Sequence, residues 1–157
     1  VVSESCIVAH ERMARWYVLM AIRMAENPSV VHCFNATAIV ETLKLLCELY
    51  EVLVSRGKVS GGLASPNEPE IMGLYLLAVS RRDGGLEMNR VVRRFSKGNR
   101  QEVLDSPEMK GVLHLLRAWQ NTEYLKFFRE LRLRRSMMQR CLLPPYVQDI
   151  RNGAMKV

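Results

Sequence analysis

Apolar residues between positions 39 and 53 recur at steps of four, three, four and three, which is the spacing of one face of an α-helix. The apolar positions are Ile39, Leu43, Leu46, Tyr50 and Leu53, and the polar positions of the opposite side are Glu41, Lys44, Glu48 and Glu51. The pattern predicts an amphipathic helix of about five turns. Asn35 or Thr37 is the predicted cap at its start, and Gly57 is suited to ending it.

Two stretches carry the signature of a helix N-terminus. In the first, Ser65 is predicted to cap a helix that Pro66 begins, and Glu68 to close a capping box with Ser65. In the second, Ser106 and Pro107 precede an apolar run. Ser65 and Ser106 lie 41 residues apart, a separation typical of helical-repeat proteins, although two capped helices of an irregular bundle would show it as well.

The other apolar patterns also predict helices. A first helix from Glu4 to Glu26 is apolar almost all the way round between Trp16 and Ile22, so we expect neighbours on both sides of it. Further helices are predicted over residues 86–95, from Asn121 or Thr122, and after Ser136 up to a break at Pro144 and Pro145. Residues 146–155 are expected to continue as a separate turn or two. No segment alternates with period two for long enough to predict a strand. The prediction is an all-α stack of about seven helices.

Composition fits one globular domain. The chain has 157 residues, of which 48% are apolar and 25% charged, so it can bury a core. No apolar run approaches the roughly 20 residues that span a bilayer, and no membrane insertion is expected. Because the chain begins with Val1 rather than Met, we expect residues 1–157 to be a single helical-repeat domain from a longer protein.

The formal net charge of +7 is concentrated in two segments. From Arg81 to Arg100 seven basic residues stand against two acidic ones, and from Lys126 to Arg140 six stand against one. Such segments are typical of a surface that binds RNA or an acidic partner, while a solvated basic face is the alternative. The candidate binding residues are Arg81, Arg82, Arg90, Arg93, Arg94, Lys97, Arg100, Lys126, Arg129, Arg132, Arg134 and Arg135.

No catalytic constellation is visible. The three histidines lack metal-ligand spacing, no glycine-rich phosphate loop follows a strand, and there is no nucleophile elbow. The four cysteines match neither a zinc pattern nor a redox pair, so reduced core thiols are expected at Cys6, Cys33, Cys47 and Cys141. We predict no catalytic residue, no metal and no cofactor, with an enzyme kept as an alternative.

Three stretches taken together resemble the suppressor-of-actin/germinal-centre-associated nuclear protein (Sac/GANP) family. The first is His-Glu-Arg-Met-Ala-Arg-Trp-Tyr at residues 10–17, and the second begins with Ser-Pro-Asn-Glu-Pro-Glu at residue 65. The third runs from Leu-Asp-Ser-Pro-Glu at residue 104 to Tyr-Leu-Lys-Phe-Phe at residue 124 and on to Arg132. The resemblance covers most of the chain in the same order.

The resemblance implies a right-handed stack of antiparallel helix pairs, similar to tetratricopeptide and HEAT repeats. A winged helix of the proteasome-lid, signalosome and initiation-factor (PCI) type is expected after residue 157. Pro144 and Pro145 fall where relatives usually keep a helix unbroken, so a locally kinked version of that helix is expected.

For function, the resemblance implies a non-catalytic scaffold of a nuclear messenger-RNA transcription-and-export complex. Its partners would be a second PCI-type subunit, a small acidic protein and RNA, and its location the nucleus and the nuclear pore. The alternative is a structural subunit of another large ribonucleoprotein or regulatory particle.

Overall fold

The computed structural model of the protein describes residues 4–25, 31–57, 63–97, 100–133 and 136–155. Within these ranges the backbone forms nine α-helices and no β-strand. They are α1 (Glu4–Ala25), α2 (Val31–Ser55), α3 (Glu68–Asp83), α4 (Leu86–Lys97), α5 (Gln101–Asp105), α6 (Pro107–Gln120), α7 (Tyr124–Arg132), α8 (Met137–Leu142) and α9 (Pro144–Ala154). The predicted all-α class is confirmed. Nine helices replace the seven expected because the short α5 was not predicted and the last segment forms two full helices.

Helix α3 lies at the centre of the stack, where it packs against α2, α4, α5, α6 and α8. All seven residues from Ile71 to Leu77 are buried, so this helix has apolar neighbours all round it. Gly73 brings α6 close to α3, since a Cβ atom at Gly73 would lie only 3.2 Å from Cγ2 of Val112. The segment that begins at Ser65 therefore supplies the axis on which the other helices pack.

Helix α1 packs on α2 and α8, and the expectation of neighbours on both of its sides is wrong for the described part of the chain. Ala14 and Val18 are fully buried on the inner face. Trp16 and Leu19 are 56% and 37% exposed on the outer face. The physical reason is position: α1 is an outer helix of the stack, and none of the other eight helices covers that face.

The two serine caps behave differently. Ser106 caps α6 as predicted, with its hydroxyl accepting from the backbone N–H of Met109 at 3.2 Å. The capping box predicted for Ser65 and Glu68 is wrong, because α3 begins at Glu68 and the Glu68 carboxylate accepts from the N–H of Ala64 at 2.7 Å. The Ser65 hydroxyl accepts from the N–H of Asn67 at 3.2 Å, before the helix begins, and donates to Glu11 of α1 at 2.7 Å, a tertiary contact that local spacing does not reveal.

Two other predicted starts are displaced. Helix α2 begins at Val31, before Asn35 and Thr37, so neither residue is its cap. Its predicted core face is confirmed at Ile39, Leu43, Leu46 and Tyr50, which are all buried. Gly57, in the left-handed region at φ +63°, follows its end as predicted. Helix α7 begins at Tyr124 because Asn121 still ends α6 and Thr122 turns the chain at φ +54°.

The predicted break at the two prolines is confirmed between α8 and α9. Pro144 and Pro145 occupy the first turn of α9, where a missing N–H group leaves no hydrogen bond unmade. Helix α9 then runs for 11 residues, longer than the turn or two expected. The Tyr146 hydroxyl donates to the carbonyl of Leu77 at 2.6 Å and holds α9 against α3.

Candidate nucleic-acid interface

Helix α4 carries the first basic segment on its outer side. Its start is fixed by Asp83, whose carboxylate accepts from the N–H groups of Gly85 and Glu87, both at 2.8 Å. Its buried residues are spaced by three and four positions and are Met88, Val91 and Phe95. This spacing places the intervening basic residues on the outer side of the helix. Arg90, Arg93, Arg94 and Lys97 are all exposed, so the predicted basic face of this helix exists.

Two of the four cations of α4 form an ion pair with a described residue, and two do not. Arg94 forms an ion pair with Glu51 of α2 at 2.7 Å, and Arg90 forms a weaker one with Glu87 at 3.4 Å. Arg93 and Lys97 form no ion pair with any described residue. Charges without a partner are the ones most available to an incoming phosphate, because no existing contact has to be given up.

Helix α7 carries the second basic segment and packs on α6. Phe127 is its fully buried residue, and Lys126, Arg129 and Arg132 are exposed. Lys126 pairs with Glu123 at 2.9 Å and lowers the pKa of that carboxyl below its ordinary value, helped by a hydrogen bond from Asn121. In the described part of the chain Arg129 and Arg132 form no ion pair.

Of the remaining candidate cations, those that the structure describes do not lie on the faces of α4 or α7. Arg81 makes two hydrogen bonds to Asp149 of α9, at 2.7 and 3.0 Å, and lowers the pKa of that carboxyl. Arg82 is exposed beside an apolar groove. Arg134 and Arg135 lie outside the described residues.

Arg100 is a buried cation, unlike every other candidate that the structure describes. It is 8% exposed, its guanidinium pairs with the buried carboxylate of Glu68, and it lies 5.1 Å from the ring centre of Phe95. Its charge is therefore engaged inside the fold, at the junction of α3 with α4 and α5.

The α4 and α7 faces are built on different neighbours. Helix α4 packs on α3 and α5, whereas α7 packs on α6. The turn before α4 meets the end of α6, after which α7 follows, because the amide of Gln120 donates to the carbonyl of Gly84 at 2.6 Å. The basic faces of α4 and α7 therefore begin close to each other in space and lie on different neighbouring helices.

The polar centre of the molecule lies elsewhere, around Glu11, and sequence reasoning missed it. Glu11 is 2% exposed, and its carboxylate accepts from the hydroxyls of Tyr50 and Ser65 and from the amide of Asn67, each at 2.7 Å. Burial and the bond to Glu11 raise the pKa of Tyr50, so its hydroxyl keeps the proton that it donates.

A second set of contacts extends this centre. Arg15 reaches Glu70 at 3.1 Å, and Glu68 holds both Arg100 and the N–H of Ala64. We call these contacts, together with those of Glu11, the polar junction; it joins α1, α2 and the segment before α3. The Ser-Pro-Asn-Glu stretch and the His-Glu-Arg stretch therefore contact each other in the folded protein. The signal available in the sequence was that Glu11 has the helical spacing of Ile7, Ala14 and Val18, which places an acid on the apolar face of α1.

The polar junction lacks the features of a catalytic centre. Three donors already occupy the Glu11 carboxylate, and no group of three or more His, Cys, Asp or Glu residues in the described ranges is placed to hold a metal ion. The predicted core thiols are confirmed at Cys47 and Cys141, and burial raises the pKa of Cys47 to about 12. Cys6 is half-buried, and the side chain of Cys33 lies outside the described set.

These observations define a class: an all-helical domain of stacked helices, held by a buried polar junction and carrying two basic faces. The chain matches the model of the SAC3/GANP family over residues 1–157, and it belongs to that family. No curated protein and no solved structure gives a significant match. In the part of the chain that the structure describes, no helix is both long enough and apolar enough to cross a bilayer.

The family is associated with the nuclear machinery of messenger-RNA transcription and export, and its members work in complexes with other subunits. It is generally a family of non-catalytic scaffolds.

Proposed function

We propose that this domain is a non-catalytic scaffold in a nuclear messenger-RNA transcription-and-export complex, and that it binds RNA through the outer faces of α4 and α7. The family membership over the whole chain supports the complex and the location. The observation that carries the RNA contact is the set of exposed cations without an ion-pair partner among the described residues. They are Arg93, Lys97, Arg129 and Arg132.

Electrostatics supports the choice of these four residues over the other candidates. An exposed cation that already has a carboxylate partner must weaken that contact to bind a phosphate, as Arg90, Arg94 and Lys126 would. Arg81 and Arg100 are held more firmly still, by a bidentate pair and by burial. Contacts to phosphate from arginine and lysine carry little base preference, so we expect RNA binding that depends on salt more than on sequence.

The scaffold part of the proposal includes a second PCI-type subunit, a small acidic protein and a position at the nuclear pore. The exposed apolar outer face of α1 supports a protein partner, because Trp16 and Leu19 would lose contact with water against a further helix. We also propose that residues 1–157 act as one helical domain of a longer protein.

The experiment that tests this proposal is purification of the tagged full-length protein from its own cells at moderate salt, with and without ribonuclease. We expect a second helical-repeat, winged-helix subunit and a small acidic protein, both of which stay bound after ribonuclease treatment. A variant with Trp16→Glu should lose the subunit if the outer face of α1 is the contact. Recovery of ribosomal or other particle proteins in place of these partners would contradict the export assignment.

A further inference from the structure

An apolar groove lies where α1, α2, α3 and the α8–α9 junction meet. Its volume is about 420 Å³, within the range of roughly 300–1,000 Å³ that is typical of ligand sites. Its base is formed by buried side chains, among them Ile39, Leu77 and Cys141. Ala21 and Ala78 line it as well, and their short side chains leave room for an inserted group.

Only arginines contribute charge to the described lining. Arg81 is neutralised by its two hydrogen bonds to Asp149. Arg82, the next residue, is exposed and forms no ion pair with any described residue. The groove therefore combines apolar walls with one uncompensated positive charge at its rim.

The wall formed by α9 is fixed in place. Pro144 and Pro145 line the groove and begin α9, and Tyr146 bonds to the carbonyl of Leu77 at 2.6 Å. The pair between Arg81 and Asp149 ties the middle of α9 to the end of α3. A wall held at both places is preorganised, so little conformational entropy is lost when a ligand enters.

We propose that this groove is a docking site for an acidic peptide segment, which inserts a bulky apolar side chain between Ala21 and Ala78 and sets a carboxylate against Arg82. The charge of the rim selects an anionic partner, and the apolar lining selects a peptide over RNA. A nucleobase would need an aromatic face for stacking, but the one aromatic residue of the lining, Tyr146, is 1% exposed. The site is separate from the RNA faces proposed for α4 and α7.

The test is selection of a phage-displayed library of random 12-residue peptides on the protein, followed by titration of the best fluorescein-labelled peptide by fluorescence polarisation. We expect the selected peptides to share a Leu, Phe or Trp next to Asp or Glu. Arg82→Glu should weaken their binding by about tenfold or more, because it places like charges together at the rim. Ala78→Phe should abolish binding by filling the groove.

The matched control is Arg93→Glu, which makes the same charge change on α4 and should leave the peptide affinity unchanged. Arg82 is exposed, so Arg82→Glu stays informative if Ala78→Phe fails to fold. The proposal is overturned if no peptide is enriched, if the peptides lack the apolar and acidic pair, or if they bind Arg82→Glu as tightly as the wild type. It is also overturned if a 20-nucleotide poly(U) RNA displaces the peptide and loses affinity with Arg82→Glu, because the charge would then belong to an RNA surface. A loss of RNA binding by Arg93→Glu alone bears on the α4 face and leaves this proposal intact.

Discussion

Glu68 and Arg93 are both charged residues of this small domain, yet their environments are opposite. Glu68 is fully buried and bonded to Arg100 and to the backbone, whereas Arg93 is exposed and has no ion-pair partner in the described ranges. The polar junction around Glu11 and Glu68 links helices far apart in sequence. Among the described basic residues of the α4 and α7 faces, Arg94 alone pairs with another helix, through Glu51 of α2. The difference separates residues that hold the structure from residues that are available to a partner.

The largest effect is expected from the buried pair of Glu68 and Arg100. Glu68→Gln leaves a buried guanidinium without its carboxylate, which should lower the free energy of unfolding by about 3–5 kcal/mol in urea denaturation. Glu70→Gln is the matched control, because the Glu70 side chain is 20% exposed and should cost less than about 1 kcal/mol. The double variant Glu68→Gln/Arg100→Met should regain part of the loss, since it removes both charges. Equal stability of Glu68→Gln and Glu70→Gln would erase the contrast between the two regions.

The second-largest effect on stability is expected from replacing Glu11. Glu11→Ala leaves the donors of Tyr50, Ser65 and Asn67 without their acceptor, and each unsatisfied buried group costs about 1–3 kcal/mol, although water entering the space would satisfy some of them. We expect a loss of about 3 kcal/mol in the free energy of unfolding, with the control Glu48→Ala, on the exposed side of α2, close to wild type. Thermal unfolding followed by circular dichroism measures both. A change for Glu11→Ala no larger than that for Glu48→Ala would contradict a structural role.

A smaller, pH-dependent effect is expected from the pair of Arg81 and Asp149. Hydrogen bonding to Arg81 lowers the pKa of Asp149 below its ordinary value of 3.8. The pair is therefore fully stabilising above that value, and its contribution disappears as the pH falls through the lowered pKa. The melting temperatures of wild type and Asp149→Asn should differ by a constant amount between about pH 7 and pH 5, equivalent to about 0.5–1 kcal/mol, and converge below about pH 4.

The control for that experiment is Asp105→Asn. Asp105 pairs with Lys110 at 3.0 Å, but both side chains are about half exposed, so its removal should change stability by less than about 0.5 kcal/mol. A difference between wild type and Asp149→Asn that grows on acidification would have the wrong sign for this account.

The smallest effect on stability is expected on the basic faces. Arg93→Glu should change the free energy of unfolding by no more than about 0.5 kcal/mol, because the side chain is exposed and unpaired within the described structure. Arg94→Glu, one residue away, sets a second carboxylate beside Glu51 and should be the less stable of the two in urea denaturation. The reverse order would show that the assignment of paired and unpaired cations on α4 is wrong.

Local sequence patterns predicted the features that local physics controls. The core face of α2, the cap at Ser106, the basic outer side of α4 and the break before Pro144 all follow from residues within one or two helical turns of each other. The family followed from the order of three motifs, and the chain's membership confirms it.

The features that the sequence did not predict correctly share a different cause. The polar junction joins Glu11 to Ser65 and Asn67 across more than fifty positions, and no periodicity encodes a contact between segments so far apart. Ser65 was assigned to a cap because its hydroxyl has the right spacing, but α3 begins only at Glu68, and the Ser65 hydroxyl donates its proton to the buried carboxylate of Glu11 on another helix. The outer face of α1 was expected to be covered because apolar composition does not reveal which face lacks a neighbour.

The most direct test of the central claim is the salt dependence of RNA affinity. The Kd of a fluorescein-labelled 20-nucleotide poly(U) RNA would be measured from 50 to 300 mM salt for two variants with equal net charge. One reverses the proposed RNA-binding residues to Glu: Arg93, Lys97, Arg129 and Arg132. The other reverses four exposed basic residues of α1, α2 and the turn after α2: Arg12, Arg23, Lys44 and Arg56.

We predict that the first variant binds at least tenfold more weakly and that its plot of log Kd against log salt is flatter by about 2–3, since each lost phosphate contact removes about 0.7. The second variant should keep most of the affinity and the slope of the wild type. Equal losses in both variants, or an unchanged slope in the first, would contradict the claim that α4 and α7 present the RNA-binding surface.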